Sequence, residues 1–345
     1  MGVLSGLRGA GVSAMNTTDK IFVAGHRGLV GSAIVRRLRG LGFENLVFRP
    51  RAELELTDAA AVLHFFEHER PSHVFLAAAR VGGILANSRY PADFIRENLL
   101  VQLAVFDAAL ATEVKKLVFL GSSCIYPKFA EQPIREESLL TGELEPTNEA
   151  YAVAKIAGIL MCRSYNRQFG TRFMSIMPTN LYGVGDNFDR NGSHVLPALI
   201  RRFHDAKLNG DPEVVVWGTG TPRREFLHVD DMADASVHLM RVWAESAQDG
   251  TIVGGENAIN EIVNVGYGDD VSIGELARLV GEIVGYQGTL RFDHTKPDGT
   301  PRKLLDSSRL RLTGWAPRVF LRDGIASTYS WFLEHHDEAR LGTAV

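Results

Sequence analysis

Tyr151 and Lys155 stand in the spacing YxxxK within EAYAVAKIAG. On a helix that spacing puts both side chains on one face, one turn apart. An ammonium beside a phenol stabilises phenolate, which suits proton transfer to a carbonyl or from an alcohol. The pair alone is weak evidence, so its position must carry the argument. The expected helix follows KLVFLGSSC, an apolar run that ends in the hydroxyls of Ser122 and Ser123. Ligands of open parallel sheets sit at that end of the strands. Either serine can hydrogen-bond a substrate oxygen. Strand alternation turns the two to opposite faces without saying which one meets the ligand, and serines at a strand end also serve in turns.

A second chemical signal lies near the start. KIFVA runs straight into GHRGLVG, and an amphipathic segment follows. The turn Gly25, His26, Arg27, Gly28, Leu29, Val30 and Gly31 has the strand and helix context that a dinucleotide-binding fingerprint requires. Its spacing is GxxGxxG rather than the commoner GxGxxG. Glycines let the backbone approach a pyrophosphate, and the helix N-terminus faces it with unpaired N–H groups. After the second strand an NAD site places Asp or Glu for the ribose hydroxyls, but here the chain reads RPR. Arg49 and Arg51, with Arg27 from the glycine turn, instead suit a 2′-phosphate, which favours NADPH.

Other combinations are weaker. Cys124 and Cys162 lie far apart without CxxC spacing, so neither a disulfide framework nor a zinc ribbon is expected, and a reducing, cytoplasmic setting fits best. His64, Glu67 and His68 spell HxxEH, a zinc-protease pattern. They fall on a connecting helix with no third ligand in view. A solvated helix face is the expectation, and no metal. Asp230 and Asp231 read as an N-cap and a first-turn acid.

The elements that must position these groups alternate as βαβ units. Strands are expected at Lys20 to Ala24, Asn45 to Phe48, His73 to Ala78, Lys116 to Leu120 and Phe173 to Met177. Helices are expected near Val30 to Leu41, Ala59 to Glu69, Ala92 to Thr112 and Glu149 to Phe169. The runs VFLAAA and LVFLG are apolar on both faces, as in a sheet covered by helices on each side. The first half therefore reads as a Rossmann-type doubly wound parallel sheet. After Pro178 loops rich in Gly, Asn, Asp and Pro interrupt the rhythm. Helices near His194 to Lys207, Asp231 to Ala244, Ile273 to Val284 and Leu321 to Glu334, and strands near Val214 to Trp217, Glu261 to Val265 and Leu290 to Phe292, read as a smaller C-terminal α/β substrate part. The division expected is a flexible extension over 1–19, a cofactor domain over 20–180 with some later segments returning to it, and a substrate domain mainly over 181–345.

Composition excludes several classes. The chain has 345 residues, 45% hydrophobic and 23% charged, so a sizeable core is available. Its 37 basic and 41 acidic residues give a net charge of −4, which favours neither nucleic acid nor an anionic membrane. Mean hydropathy is −0.03, and no apolar run is long enough to span a bilayer. The first fifteen residues, Gly-rich and without a continuous apolar stretch, read as a floppy extension, with Met15 a candidate start.

The glycine turn, the strand-end serine and YxxxK, in this order, resemble the extended short-chain dehydrogenase/reductase family. AGHRGLVGSA, LAAARVGGI, GSSCIYPK, EPTNEAYAVAKIAG, MPTNLYG, SHVLPAL, REFLHVDDM and KPDGTPRKLLD are similar to its branch acting on GDP-linked keto sugars, from about Lys20 to Leu333. The resemblance implies conversion of GDP-4-keto-6-deoxy-D-mannose to GDP-L-fucose. Carbons 3 and 5 are epimerised, and the carbon 4 ketone is then reduced with NADPH. It implies Cys124 as base and His194 as acid, whereas the residues alone suggest a structural thiol and a helix-start histidine. It makes Tyr151 the proton donor, with Lys155 lowering its pKa and binding the nicotinamide ribose. Ser122 matches the family's serine, with Ser123 the alternative. Leu120, Gly121, Pro178, Thr179, Asn180, Leu181 and His194 are implied to line the cofactor. Arg202, Trp217, Arg224 and Asp298 are implied to hold GDP, and Arg223 beside Arg224 leaves open how the two arginines share that task. A homodimer through the helices at Ala92 to Thr112 and Glu149 to Phe169 is also implied. The rival readings are another nucleotide-sugar epimerase or reductase of the family and a non-catalytic nucleotide-binding protein. A dehydratase would carry Asp-Glu where this chain has SSCIYP, and intact Ser122, Tyr151 and Lys155 weigh against loss of catalysis.

Overall fold

The computed structural model describes residues 15–189, 192–249, 262–296 and 298–335. Most of the extension expected over 1–19, and Glu261, therefore lie outside the described residues. The first elements are β1 (Ile21–Ala24), α1 (Leu29–Gly40), β2 (Leu46–Val47), α2 (Ala59–Glu69), β3 (His73–Leu76), α3 (Ile84–Arg89), α4 (Pro91–Ala111) and β4 (Lys116–Leu120). Next come α5 (Glu149–Phe169), β5 (Phe173–Pro178), β6 (Asn180–Tyr182), α6 (Val195–Asn209), β7 (Glu213–Trp217), β8 (Arg223–His228) and α7 (Val229–Asp249). The last are β9 (Ile262–Val265), β10 (Asp270–Ser272), α8 (Ile273–Val284), β11 (Thr289–Asp293), β12 (Arg302–Lys303), α9 (Ser308–Leu312) and α10 (Leu321–Glu334).

Six parallel strands in the order β2-β1-β3-β4-β5-β9 form the main sheet. This is the Rossmann-type arrangement read from the sequence. Strands β1, β3, β4, β5 and β9 are buried along their whole length, as double coverage demands. One face packs on α1 and α7 through Ile34, Leu38, Met232 and Met240. The other packs on α2, α4 and α5 through Phe66, Val105, Phe106 and Ile159. A third core, with Phe188, Phe203, Leu276, Val280 and Phe332, joins α6, α8 and α10.

The structure departs from the sequence reading at the edges and in the second half. β2 is only two residues long at the sheet edge. The expected loop after Pro178 opens with β6, which pairs with β8. The sequence did not suggest β8, because Arg223 and Arg224 break the apolar pattern. Arg223 is neutralised in place: its Nε lies 2.6 Å from Asp270, and Arg302 Nε of β12 lies 2.5 Å from the same buried carboxylate. Asp230 is not an N-cap, since α7 already begins at Val229. Asp230 pairs with Arg36 at 2.7 Å, and Asp231 accepts the backbone N–H groups of Arg318 and Val319.

A buried imidazole makes the main sheet sensitive to acid. His73 on β3 is 1% exposed, with Ser72 Oγ 2.9 Å from Nδ1, the Asp19 carboxylate 3.9 Å away and, among the described residues, no partner at Nε2. Burial, more than any neighbour, draws its pKa from 6.5 down to about 4, although Asp19 opposes the shift. Below 6.5 the unfolded chain therefore binds a proton that the folded chain refuses until about pH 4. The contribution is complete above 6.5 and is lost as pH falls through that window, in total about 3 kcal/mol. Urea midpoints measured across the window should fall more steeply for the parent chain than for His73→Gln. Parallel curves would remove His73 as the cause.

Candidate active site

The dinucleotide turn is shaped by what its glycines exclude. Gly25 sits at φ +83°, and a Cβ there would lie 2.7 Å from Ala78 N. A Cβ on Gly31 would collide with Gly25 O, so α1 packs directly against the turn. Gly28 precedes α1 without a side-chain cap, leaving first-turn N–H groups to an anion. These features fit a dinucleotide pyrophosphate. The three arginines have different partners. Arg49 is tied to Glu69 at 2.7 Å and lies over the Phe65 ring, and Arg51 is held by Glu55 at 2.7 Å. No ion pair involves Arg27 among the described residues. His26 stacks on Phe48 with ring centroids 4.6 Å apart.

At the end of β4 the structure separates the two serines. Ser122 is extended, its Oγ accepts from Cys124 N at 3.3 Å, and it hydrogen-bonds Tyr151. Ser123 opens a short 3-10 turn and is buried. Tyr151 lies in the first turn of α5, its ring edge-on to Phe94. Burial pushes the phenol well above its usual pKa, charge on Cys124 pushes it further, and the Ser122 hydrogen bond draws it back. Lys155 is buried one turn on, 5.7 Å from the Tyr151 ring centroid, and its Nζ donates to Leu120 O at 2.6 Å. Burial draws that ammonium down to about 7. The expected lowering of the tyrosine pKa by Lys155 is therefore not seen. The ammonium is turned to a strand carbonyl, burial dominates, and the phenol is held protonated, the form a proton donor needs.

Cys124 joins this cluster. Its Sγ accepts from Asn148 Nδ2 at 3.3 Å and has Lys303 Nζ at 3.9 Å. Lys303 lies opposite Arg224 in the parallel β12–β8 pair, so the sulfur is linked through one cross-strand step to an arginine of the second half. Among the described residues Arg224 donates to Arg223 O and Arg202 to Val215 O at 2.7 Å, and neither has a carboxylate partner there. Arg223 has two, Asp270 and Glu275. Strand alternation thus divides the arginines left open by the sequence: Arg223 is structural and Arg224 is available to an anion.

The remaining sequence candidates fall on the rim. Trp217 is 67% exposed at the end of β7, with Lys296 Nζ 5.6 Å from its ring. Asp298 accepts from Thr219 N at 2.9 Å and from Thr219 Oγ1 at 2.7 Å, closing the 217–221 loop. His194 heads α6, and burial draws its imidazole below 6.5. A Cβ on Gly83 would lie 3.8 Å from the carbonyls of Gly192 and Ser193, and α3 packs on the 146–148 turn. The His194 and Cys124 segments therefore border the same loop. His64, Glu67 and His68 stand exposed on α2.

Sequence reasoning missed Asn148, Lys303 and Glu225. Glu225 is fully buried; its carboxylate accepts from Gly268 N at 2.7 Å and Leu305 N at 3.1 Å, and its carbonyl from Asn180 Nδ2 at 2.8 Å. It thereby fixes the Pro178–Leu181 segment, where Thr179 Oγ1 also bonds its carbonyl. The PTNE and PRK runs contain the first two residues, but no short-range spacing links them to Cys124.

A sequence profile described as the NAD dependent epimerase/dehydratase family matches residues 21–266. The chain is 59% identical over 328 residues to GDP-L-fucose synthase 1 of Arabidopsis thaliana, covering 95% of this chain and 97% of that one. It is 55% identical over 326 residues to GDP-L-fucose synthase of Escherichia coli strain K12, covering 93% and 99%. A solved GDP-L-fucose synthetase from Naegleria fowleri bound to NADP superposes with a TM-score of 0.83 at 29% identity, covering 96% of this chain and 99% of that one.

Proposed function

We propose that this chain, which belongs to the NAD dependent epimerase/dehydratase family, converts GDP-4-keto-6-deoxy-D-mannose to GDP-L-fucose with NADPH. The observation that carries the reading is the thiol of Cys124 set beside the Ser122, Tyr151 and Lys155 cluster. A plain reductase has no use for it. The carbon 4 ketone acidifies the hydrogens on carbons 3 and 5, and Cys124 removes them as base. The hydroxyl of Ser122 holds the charge that develops on the carbon 4 oxygen during that removal. His194 returns a proton to the opposite ring face, which inverts the carbon. NADPH, when bound, supplies the hydride that reduces carbon 4. Tyr151 then protonates the carbon 4 oxygen, and Lys155 holds the nicotinamide ribose.

Residues 20–180 act mainly as the cofactor part and later residues mainly as the GDP-sugar part. Arg202 and Arg224 face the diphosphate, and Trp217 and Asp298 the nucleoside. A reducing, cytoplasmic setting would keep Cys124 free. Leu103 on α4 and Val153 and Leu160 on α5 leave apolar surface exposed, which supports a homodimer through these helices.

Purified protein mixed with GDP-4-keto-6-deoxy-D-mannose should consume NADPH stoichiometrically and yield GDP-L-fucose. No oxidation, with NADPH binding intact, would move the substrate to another nucleotide sugar. Arg27→Ala and Arg51→Ala should each raise the NADPH KM roughly tenfold, by removing a charged fork from the 2′-phosphate, and leave the NADH KM unchanged. Equal effects on both cofactors would place the phosphate elsewhere.

A further inference from the structure

Asn148 occupies the N-cap of α5, where asparagine is favoured because its side chain accepts from the first turn's N–H groups. Here it makes no such bond. The carboxamide instead meets the thiol: Nδ2 lies 3.3 Å from Cys124 Sγ, and Oδ1 is buried with no hydrogen-bond partner among the described residues. Among the described residues the sulfur is thus the one polar contact of this side chain, taken at the expense of capping. Three residues on, the same helical turn carries Tyr151. One turn of backbone therefore fixes both the phenol and the group that touches the thiol. Lys303 Nζ approaches the sulfur at 3.9 Å, so the sulfur has a second donor. Donors aimed at a sulfur stabilise the negative charge that a thiolate base carries.

We propose that Asn148 is a positioning residue for the epimerisation half of the reaction. It holds the sulfur of Cys124 toward the sugar and supports its charge, and it has no part in hydride transfer. The proposal rests on the functional reading above. Asn148→Ser isolates it, because serine caps a helix as well as asparagine but is too short to keep the sulfur contact. Hydrogen bonds to charged groups are strong enough that solvent deuterium incorporation at carbons 3 and 5 should slow roughly 10- to 100-fold. The reverse hydride transfer from GDP-L-fucose to NADP, which needs Tyr151 and Lys155 but no carbon base, should stay within about twofold of the parent. Unchanged incorporation would overturn the proposal. So would equal losses in both assays, which would show that the helix end as a whole had moved.

A second variant reads the contact without any substrate. Asn148→Asp keeps the size and the capping ability but puts a carboxylate beside the sulfur. Iodoacetamide should alkylate Cys124 several-fold more slowly in this variant than in the parent; Cys162, fully buried, serves as the internal reference. Unchanged alkylation overturns the proposal whatever the activity. Slowed alkylation in a chain that neither exchanges nor reduces would instead count against the functional reading and leave the contact standing.

Discussion

Tyr151→Phe should stop NADPH oxidation, by about 10²- to 10⁴-fold, while deuterium exchange at carbons 3 and 5 continues. The substitution removes one oxygen and little else. The ring keeps its edge-on contact with Phe94, and Lys155 keeps its hydrogen bond to Leu120 O. What disappears is the protonated phenol, which its buried site holds above the usual tyrosine range. Reduction needs that proton at the carbon 4 oxygen as the hydride arrives. Enolisation needs only a base at the carbon and a donor to the ketone, and Cys124 and Ser122 remain. The measurement is cofactor oxidation followed in parallel with mass analysis of recovered sugar. Loss of exchange together with reduction would mean that the phenol also polarises the ketone during proton removal.

Cys124→Ala should have the opposite signature. Deuterium incorporation at both carbons should fall by about 10²-fold or more, and the reverse hydride transfer should be nearly unaffected. Ser122 Oγ accepts from the backbone N–H of residue 124, which alanine retains, so the strand-end geometry should survive. Cys124→Ser tests the sulfur itself: the hydroxyl can still meet Asn148 but is a far weaker acid than a thiol, so exchange should stay low. Retained incorporation in either variant would take the base role from Cys124 and point to His194 for both faces.

The parts of the site legible in the sequence are those made by near neighbours. The glycine turn, the strand-end serines and the Tyr151–Lys155 pair each lie within a few residues, where helix and strand periods dictate geometry. The strands of the main sheet were legible because burial on both faces makes them continuously apolar. What stayed hidden depends on distant segments. Lys303 and Cys124 are 179 positions apart, and Glu225 meets Leu305 across 80. β8 was invisible because Arg223 and Arg224 interrupt its apolar pattern, and the acids that answer Arg223, Asp270 and Glu275, are connected to it by no local pattern. The respective roles of Arg223 and Arg224 could be read only once strand pairing put them on opposite faces.

The pairing of Lys303 with Arg224 also bears on which sugars the site accepts. The arginine that would grip the diphosphate and the lysine that reaches the base are side by side on adjoining strands, with no hinge between them. On the proposed function, such a mounting would work as a short, stiff ruler laid from the phosphates to the reacting carbons. A nucleotide sugar whose spacing did not match would not be accommodated by bending one end, because both marks would move together. Selection among related substrates would then be made by length before any group on the sugar ring is read.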